Sequence, residues 1–535
     1  MTHYKRQHEA PFCVFPDHGP ASTVRAPKHL FQAASTVCFL LWLLIGQLAQ
    51  ASDYDLVINH GRVIDPETRL DAVRHVGIAG QRIVKVSDVP LTADQEIDAT
   101  GLVVAPGFID LHTHSPTELG QYYQLFDGVT TALELEAGAF PVGGYGAAIA
   151  DQALINFGAS AGYLSMRLLE KDGLGVAGPG TTPAPVGIKG WMTAIRYMFS
   201  DANSALRRSF TEAATQRELE VLEVMLREGL RQGGLGIGLP LDYFSEAADA
   251  RELRMIFTVA AETRVPVFVH IRRGINGDPS GLREVLALAE RTGASVHICH
   301  ISHNAMRNIE LFLAEVRNAR SRGVDVTTEV LPYNAGSTAI SAAVFGRDWQ
   351  AIFDISYADV EWAATGERFD RAMFEEYRRK YPDGAVIHHY MKEEWTRRAI
   401  AEPGVIIVSD LIPMKSREEH VPPHNGAFTR ILARYVRQEN VLDLVAALEK
   451  MTLLPARRLE TFAPAFSRKG RIQAGMDADI TLFDPDEILD RATYRDPYQE
   501  AAGLAYVIVN GSVVVRAGQL QDGVFPGQRI LSSSP

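Results

Sequence analysis

The middle of the chain alternates short apolar runs with longer amphipathic segments. Segments 218–232, 281–292 and 309–322 have the apolar spacing of helices and lie between runs of strand length. The eight runs read "GFIDLHTHS", "GVTTALELEAG", "LINFGASAGY", "GGLGIGLPLDY", "VPVFVHIRRG", "ASVHICHISHN", "VDVTTEVLPYN" and "GVIIVSD". Repeated strand–helix units imply a parallel sheet. Eight such strands predict an α/β fold, a (β/α)8 TIM barrel.

Both ends of the chain show a different pattern. From residue 53 to about 105, short alternating runs are separated by Gly, Asn and Asp, which is typical of strands and tight turns. The same pattern of short alternating runs and turn residues occurs again in "KGRIQAGMDADITLFDP" and "LAYVIVNGSVVVRAGQL". Within the middle, residues 340–400 are too long for an ordinary connection, and we predict an inserted lid or subdomain there.

Residues 1–51 have the pattern of a secretory signal peptide. Four basic residues precede the apolar run "VCFLLWLLI", and Ala49-Gln50-Ala51 supplies the small residues that a signal peptidase recognises. The run is shorter than the ~20 residues that span a bilayer, so an uncleaved anchor is the less favoured alternative. We therefore expect cleavage before Ser52 and a periplasmic or secreted protein.

Charge and cysteine content limit the partners of the mature chain. Without the leader, 49 Lys and Arg face 63 Asp and Glu, a formal charge of −14, which argues against nucleic acid as a partner. Cys299 is then the remaining cysteine, so no internal disulfide can form. The sequence does not determine the oligomeric state.

Polar residues follow several predicted strands at the point where each strand ends. They are His112 and His114 (first strand), Glu136 (second), His270 (fifth), His300 (sixth) and Asp410 (eighth). In a barrel these ends meet at one mouth, where catalytic groups lie. Each residue alone also fits a structural role, such as a capping or core histidine. Their recurrence at strand ends instead predicts a metal site, and imidazole with carboxylate suits zinc.

The chain resembles the amidohydrolase superfamily and, within it, the D-aminoacylase or N-acyl-D-amino-acid deacylase family. The matching segments include "APGFIDLHTH", "LREGLRQGGLGIGLPLDY", "HICHIS", "DVTTEVLPYNAGST", "NGAFTRILARYV" and "GRIQAGMDADITLFDP", in the family's order. The resemblance implies a metal-dependent amide hydrolase whose β-rich ends join in a small β-sandwich. The expected divisions are a leader (1–51), an N-terminal sandwich segment (52–106), the barrel (107–461, with the 340–400 insertion) and a C-terminal sandwich segment (462–535).

The resemblance also implies roles for the strand-end residues. His112, His114 and Asp410 would hold one divalent ion, and His270 and His300 another. Asp410 would in addition accept the proton of the attacking water. Whether one or two ions are bound is left open.

Three features of the family pattern are missing. The family's metal-contacting cysteine after the second strand is replaced by Ala137, so Glu136 is the expected substitute and Glu134 the alternative. The family's lysine after the sixth strand is replaced by Ser302, and an arginine that binds the substrate carboxylate appears as Pro423, with Arg417 or Lys415 as nearby substitutes. Tyr333 and Arg272 keep family positions, so the expected substrate-binding residues are Tyr333, Arg272, Ser302 and Arg417.

The function expected from this resemblance is hydrolysis of a linear amide bond in N-acyl-(D-)amino acids or dipeptide-like compounds. A cyclic-amide hydrolase or deaminase on the same barrel is the alternative, because a fold does not fix the substrate. A non-catalytic binding protein is a third interpretation, motivated by the missing clamp residues. Acyl preference and stereochemistry are not determined by the sequence.

Overall fold

The computed structural model describes residues 53–173, 208–382, 384–418 and 421–533. The predicted signal peptide, 1–51, and its cleavage site lie outside the described residues. In the portion of the chain that is described, no helix is both long and apolar enough to cross a bilayer.

Strands and helices alternate along most of the chain. The strands are β1 Leu56–Asp65, β2 Leu70–Ala79, β3 Arg82–Ser87, β4 Gln95–Asp98, β5 Val103–Pro106, β6 Phe108–Asp110, β7 Val129–Ala139, β8 Asn156–Gly162, β9 Ile237–Pro240, β10 Val267–His270, β11 Val296–Ile298, β12 Val326–Val330, β13 Gly336–Ala339, β14 Val360–Trp362, β15 Glu367–Arg368, β16 Ala385–His388, β17 Val405–Ile407, β18 Ile480–Phe483, β19 Leu504–Val509, β20 Ser512–Arg516 and β21 Gln519–Leu520. The α-helices are Glu118–Phe126, Tyr163–Asp172, Arg208–Thr211, Gln216–Arg231, Ala250–Thr263, Ser280–Thr292, Ile301–Ala305, Ile309–Ser321, Trp349–Phe353, Arg371–Lys380, Glu393–Ala401, Ala427–Arg430, Leu444–Leu448 and Leu454–Leu459, with π-helical turns at Ile431–Gln438 and Glu449–Leu453.

Eight parallel strands form the predicted barrel. They are hydrogen-bonded in the order β6, β7, β8, β9, β10, β11, β12 and β17. The ring closes just beyond β6 and β17, where Asp410 N donates to His112 O at 2.8 Å and His114 N donates to Leu411 O at 2.7 Å. The prediction of a TIM barrel is confirmed, and the closing bonds place residues 112–114 beside residue 410.

The barrel helices follow the predicted apolar spacing closely. The segment predicted at 218–232 is the helix Gln216–Arg231, which turns Leu219, Leu222 and Leu226 into the core. It begins earlier than expected because the Thr215 hydroxyl accepts from Glu218 N while the Glu218 carboxylate accepts from Thr215 N. This reciprocal cap satisfies two backbone donors at the helix start.

Strands from both chain ends form one nine-stranded sheet. Its order is β21, β20, β19, β18, β5, β1, β2 and β3, with β4 paired to β1. β18 runs antiparallel to β5, so the C-terminal segment is joined directly to the strand that precedes the barrel. Ile83 in β3 and Ile508 in β19 belong to the same buried cluster. The sheet therefore curls around its own core, as the predicted sandwich requires.

A small antiparallel sheet stands where the insertion at 340–400 was predicted. Its order is β13, β16, β14 and β15, and it begins at Gly336, before the expected residue 340. Aromatic side chains fill a separate core, among them Phe345, Trp349, Phe353 and Phe374. The unit has its own hydrophobic interior and contributes to the wall of the cavity described next.

Candidate metal centre

Four donor atoms from three barrel strands converge at the closed end of the ring. His112 Nε2 lies 3.2 Å from His114 Nε2. Glu136 Oε2 lies 3.3 Å from His112 Nε2 and 3.4 Å from His114 Nε2. Asp410 Oδ1 lies 3.4 Å from each of the same two nitrogens. Five of the six distances within this group of four therefore fall between 3.2 and 3.4 Å.

These distances fit a zinc ion. A regular tetrahedron whose vertices lie about 2.0–2.1 Å from its centre, the usual zinc–ligand distance, has edges of roughly 3.3–3.4 Å. Two imidazoles and two carboxylates are also a donor set that zinc accepts. The residues present thus form a tetrahedral cage of the right size and chemistry.

Glu136 links this cage to a second pair of histidines. Its other oxygen, Oε1, lies 2.9 Å from His270 Nδ1 and 3.0 Å from His300 Nε2. Asn304 Nδ2 lies 3.3 Å from His300 Nδ1, which accepts its N–H. The second group offers three donors, so it is a partial ligand set beside a complete one.

A bulge in β7 explains how Glu136 reaches this position. The pairing of β7 with β8 shifts register between Glu134 and Ala139, and Gly138 has a φ of +63°. A Cβ at Gly138 would lie 2.7 Å from the backbone of Gly162, which explains why glycine occupies this site. Bulges of this kind re-aim side chains next to active sites. Ala137, in the slot of the family's cysteine, is buried and has no donor atom.

Two carboxylates orient the histidines of the cage through Nδ1, the ring nitrogen that faces away from the cage. His112 Nδ1 lies 2.5 Å from Glu329 Oε1, and His114 Nδ1 lies 2.8 Å from Glu134 Oε2. Because an ionised carboxylate only accepts, each Nδ1 carries a proton, which leaves Nε2 of each ring as the atom that would bind an ion. Glu134, the alternative ligand in the sequence analysis, is therefore placed as a supporting residue.

Sequence reasoning missed Glu329 and its second partner. Glu329 Oε2 lies 2.8 Å from His297 Nε2, and His297 Nδ1 lies 2.7 Å from Thr327 Oγ1. The signal was present, because Glu329 is an acidic residue near the end of the apolar seventh strand, "VDVTTEV". Glu329 and His297 are buried and Thr327 is half-buried, and a continuous chain of hydrogen bonds through them fixes the ring of His112.

The carboxylates of the site are held ionised. Burial alone would raise the pKa of Glu136, but His112 and the hydrogen-bonding histidines around it hold that pKa well below its ordinary value. Burial would likewise raise the pKa of Asp410, but the charges of His112 and His114 lower it. At Glu329 the same opposition brings the pKa to about 2. An ionised carboxylate is the form that binds a cation.

Two of the donor residues have strained backbones. His300 has a φ of +33° and Asp410 a φ of +53°, in the left-handed region that non-glycine residues rarely adopt. Such strain costs of order 1–3 kcal/mol and persists where the surroundings fix it. His300 lies two residues beyond the end of β11 and Asp410 three residues beyond the end of β17, so the turn in the backbone is what points each side chain into the mouth of the barrel.

A cavity opens directly over the donor atoms. Glu136, His270, His300 and Asp410 form its floor, and the insertion contributes His388 and Tyr390 to its wall. Apolar contributions come from Leu331, Ala335, Ala342, Val344 and Ile412. The cavity also contains Asp242, Tyr243, Arg273, His303 and His424. A small molecule here would meet the metal cage at one end and both apolar and polar wall groups at the other.

None of the four expected substrate-binding side chains is among the residues that line this cavity. Arg272 donates to Glu284 at 2.9 Å and to Ala248 O at 2.7 Å, in a neighbouring groove. Arg417 stacks over the rings of Tyr122 and Tyr123 in another groove. Ser302 is fully buried beside His303. Arg272, Arg417 and Ser302 therefore lie away from the lining of this cavity, and their substrate-binding roles stay predictions.

Tyr333 occupies an intermediate position. It is buried, and its ring stacks on the imidazole of His424 with centroids 4.6 Å apart. His424 lines the cavity and has its Nδ1 2.8 Å from Asp410 O. Tyr333 therefore supports a cavity residue and does not itself line the cavity.

The cavity residues that sequence reasoning missed share one cause. Arg273 and His303 each follow a residue named from the family pattern, and both lie after their strand has ended. Strand alternation predicts side-chain direction only within a strand. His388 and Tyr390 lie in the insertion, whose path over the barrel has no local sequence signal.

The chain is similar to known hydrolases over most of its length. The model of the amidohydrolase family matches residues 95–318 and 373–515. N-acyl-D-glutamate deacylase of Alcaligenes xylosoxydans xylosoxydans is 31% identical over 483 residues, 86% of this chain and 93% of that protein. D-aminoacylase of the same organism is 29% identical over 504 residues, 90% of this chain and 97% of that protein.

A solved structure agrees with the sequence relatives. N-acyl-D-glutamate deacylase from Bordetella bronchiseptica, complexed with zinc and a phosphonate inhibitor that mimics the tetrahedral intermediate, superposes with a TM-score of 0.72 at 25% identity. The match covers 89% of this chain and 99% of that one. Together with the extent of the family match, this shows that the chain belongs to the amidohydrolase family.

Proposed function

We propose that the protein is a zinc-dependent deacylase that hydrolyses the amide bond of N-acyl-D-amino acids. The single observation that supports this most strongly is the four-donor cage of His112, His114, Glu136 and Asp410 at the base of a cavity lined by polar and apolar side chains. Relatives that match across their whole length are named for this reaction, with glutamate, aspartate or no particular amino acid in the name. Those names leave the side chain of the substrate open.

The metal fits the residues that the structure brings together. When bound, a zinc ion supplies Lewis acidity that polarises the scissile carbonyl and lowers the pKa of water towards ~7. His112, His114, Glu136 and Asp410 would hold it, with His270 and His300 available to a second ion through the other oxygen of Glu136.

Asp410 has the position that a proton acceptor needs. Its Oδ1 faces the two imidazoles, while 21% of the side chain remains exposed on the cavity side. A carboxylate that touches the attacking water can accept its proton and pass it to the leaving amine. His424, which holds the Asp410 backbone carbonyl, and the closing bond from Asp410 N to His112 O fix the carboxylate for this task.

Replacement of Asp410 tests the proposal. D410N should lower kcat for N-acetyl-D-amino acids by a factor of ~10²–10⁴, the range expected for loss of general acid–base catalysis. The assay uses zinc-loaded protein, metal content measured in parallel, and N-acetyl-L-amino acids and hydantoin as comparison substrates. D522N, an exposed change near the C-terminus, is the matched control.

Three results would contradict the proposal. Unchanged turnover by D410N would remove the assigned proton acceptor. Faster hydrolysis of hydantoin than of every N-acetyl amino acid would favour the cyclic-amide alternative. No hydrolysis of any amide by the zinc-loaded wild type would favour a binding protein.

We also propose that the mature protein begins at Ser52 and is periplasmic or secreted. The support is the basic segment, the apolar run and the Ala-Gln-Ala tripeptide of residues 1–51, which all lie outside the described residues. N-terminal sequencing of protein from a periplasmic fraction should give Ser-Asp-Tyr. An intact leader in the membrane fraction would contradict this.

A further inference from the structure

The cavity wall contains one permanently charged cation among the described residues, Arg273. It directly follows the expected Arg272, but its surroundings are different. Nε of Arg273 donates to Asn304 Oδ1 at 3.2 Å, and its guanidinium carbon lies 5.6 Å from the centre of the Phe353 ring. Both neighbours are uncharged. Within the described ranges no carboxylate forms an ion pair with Arg273.

The nearby acid is already paired with a different arginine. Asp242 Oδ1 accepts from Arg347 Nη1 at 2.9 Å and from the backbone N of Arg273 at 2.9 Å. Arg347 Nη2 in turn donates to the Arg273 carbonyl at 2.7 Å. Asp242 therefore fixes the Arg273 backbone and forms an ion pair with Arg347, while its charge also acts on the Arg273 guanidinium from beyond ion-pair distance. Among the described residues, the guanidinium of Arg273 has no carboxylate within ion-pair distance, and its side chain is partly buried in the cavity wall.

A partly buried guanidinium that no carboxylate contacts directly keeps its N–H donors available to the carboxylate of a ligand. Arginine binds carboxylates through two parallel N–H donors, and such pairs are strongest away from bulk water. Arg273 shares one cavity with the metal cage, so a molecule whose amide lies over the cage can place a carboxylate against it. The histidines of the same wall do not compete, because burial lowers the pKa of His388 to about 3 and that of His303 well below its ordinary value.

We infer that Arg273 is the residue that binds the substrate's α-carboxylate, and that the cavity selects N-acyl amino acids with one carboxylate and a neutral side chain. The inference rests on the proposed function and names its substrate more narrowly. A second carboxylate, as in an acidic amino acid, would meet Asp242, uncharged histidines and the apolar wall of Leu331, Ala342 and Val344. An unpaired charge in such surroundings is strongly unfavourable.

The test compares a carboxylate with its carboxamide. Zinc-loaded wild type, R273M, R273K and the matched control R283M are assayed with N-acetyl-D-leucine and N-acetyl-D-leucinamide. R273M should raise KM for the carboxylate at least tenfold and leave KM for the carboxamide within twofold, with R273K intermediate. R283M should change neither, since Arg283 is exposed and pairs with Glu315 away from the cavity lining. Wild type should prefer N-acetyl-D-leucine to N-acetyl-D-glutamate at least tenfold in kcat/KM.

Binding of the same two compounds to metal-free protein, measured by calorimetry, separates this inference from the proposed function. If wild type hydrolyses no amide but still binds the carboxylate more tightly than R273M does, the proposed deacylase function is rejected. The role of Arg273 in binding a carboxylate is then kept. If wild type is active while R273M and R273K discriminate carboxylate from carboxamide as wild type does, the role of Arg273 is overturned. A wild-type preference for N-acetyl-D-glutamate would overturn the selection for one carboxylate.

Discussion

At the residue scale, Glu136 supplies the donor that a cysteine supplies in the family that the sequence resembles. Glu136 spans both groups of histidines because its two carboxylate oxygens point to different pairs, Oε2 to His112 and His114 and Oε1 to His270 and His300. One sulfur atom would have to serve both pairs of histidines, whereas each oxygen of a carboxylate can face one pair. Glu134 is not one of the four cage donors; it accepts a hydrogen bond from His114 Nδ1 and so orients that histidine.

These two glutamates should respond differently to replacement. E136A removes a donor from both groups, so zinc bound per chain after dialysis should fall. E134Q should keep the stoichiometry but weaken zinc binding by ~10–100-fold, the usual effect of losing a partner behind a metal-bound histidine. Elemental analysis and competition with a chelator measure the two quantities. Equal stoichiometry in E136A and wild type would show that Glu136 is not a ligand.

At the element scale, a buried ion pair joins two barrel helices. Arg167, on the helix Tyr163–Asp172, pairs with Glu252, on the helix Ala250–Thr263, and both side chains are fully buried. Tyr163 donates a further hydrogen bond to Glu252 at 2.7 Å, and Arg167 also holds the Ser209 carbonyl at 2.9 Å. Helical periodicity predicts each of these helices, but it does not predict that a charge on one faces a charge on the other.

Breaking this pair should destabilise the fold strongly. E252Q leaves the Arg167 charge buried without a counter-ion, and we expect the free energy of unfolding to fall by ~3–5 kcal/mol. E290Q, which breaks the exposed pair with Arg322, should cost less than ~1 kcal/mol and is the control. Denaturant titration measures both. In the double variant R167M/E252Q most of the loss should be recovered, and additive losses would contradict the buried-charge explanation.

At the scale of the whole molecule, contacts between the two ends of the chain close the structure around the barrel. Besides the pairing of β5 with β18, Glu67 accepts from Arg471 at 2.9 and 3.0 Å and from Gln473 at 3.0 Å. Arg471 donates in turn to Glu460 at 2.9 Å, at the end of the barrel. This cluster of charges ties β1 and the segment before β18 to the last barrel helix.

The Glu67 cluster predicts a pH dependence of stability. Hydrogen bonds from Arg471, in spite of partial burial, lower the pKa of Glu67 to about 2 from its ordinary 4.5. A carboxyl group with a lowered pKa in the folded state contributes stability above pH 4.5, which is lost as the pH falls towards 2. E67Q should therefore be less stable than wild type by about 1 kcal/mol at pH 7, a value reduced for solvent screening. The difference should shrink below pH 4.5, and a difference independent of pH would contradict the assignment.

The sequence by itself determined the features of this protein that depend on local order. The eight apolar strands, the helices between them and the β-rich ends follow from hydrophobic spacing, and the histidines and acids at strand ends follow from the direction of parallel strands. For that reason His112, His114, Glu136, His270, His300 and Asp410 were predicted together, and the structure brings them into one site.

Only the tertiary structure decided what lies beyond the strand ends. There the backbone leaves the regular period of two, as at His300 and Asp410 with their positive φ, and side-chain direction depends on contacts made with distant segments. Arg273 lines the cavity instead of Arg272 because Asp242 and Arg347 hold its backbone from elsewhere in the chain. Glu329 supports His112 across 217 positions of sequence. Such long-range pairings have no local signal, because they are set by how the strands and the insertion pack around the barrel.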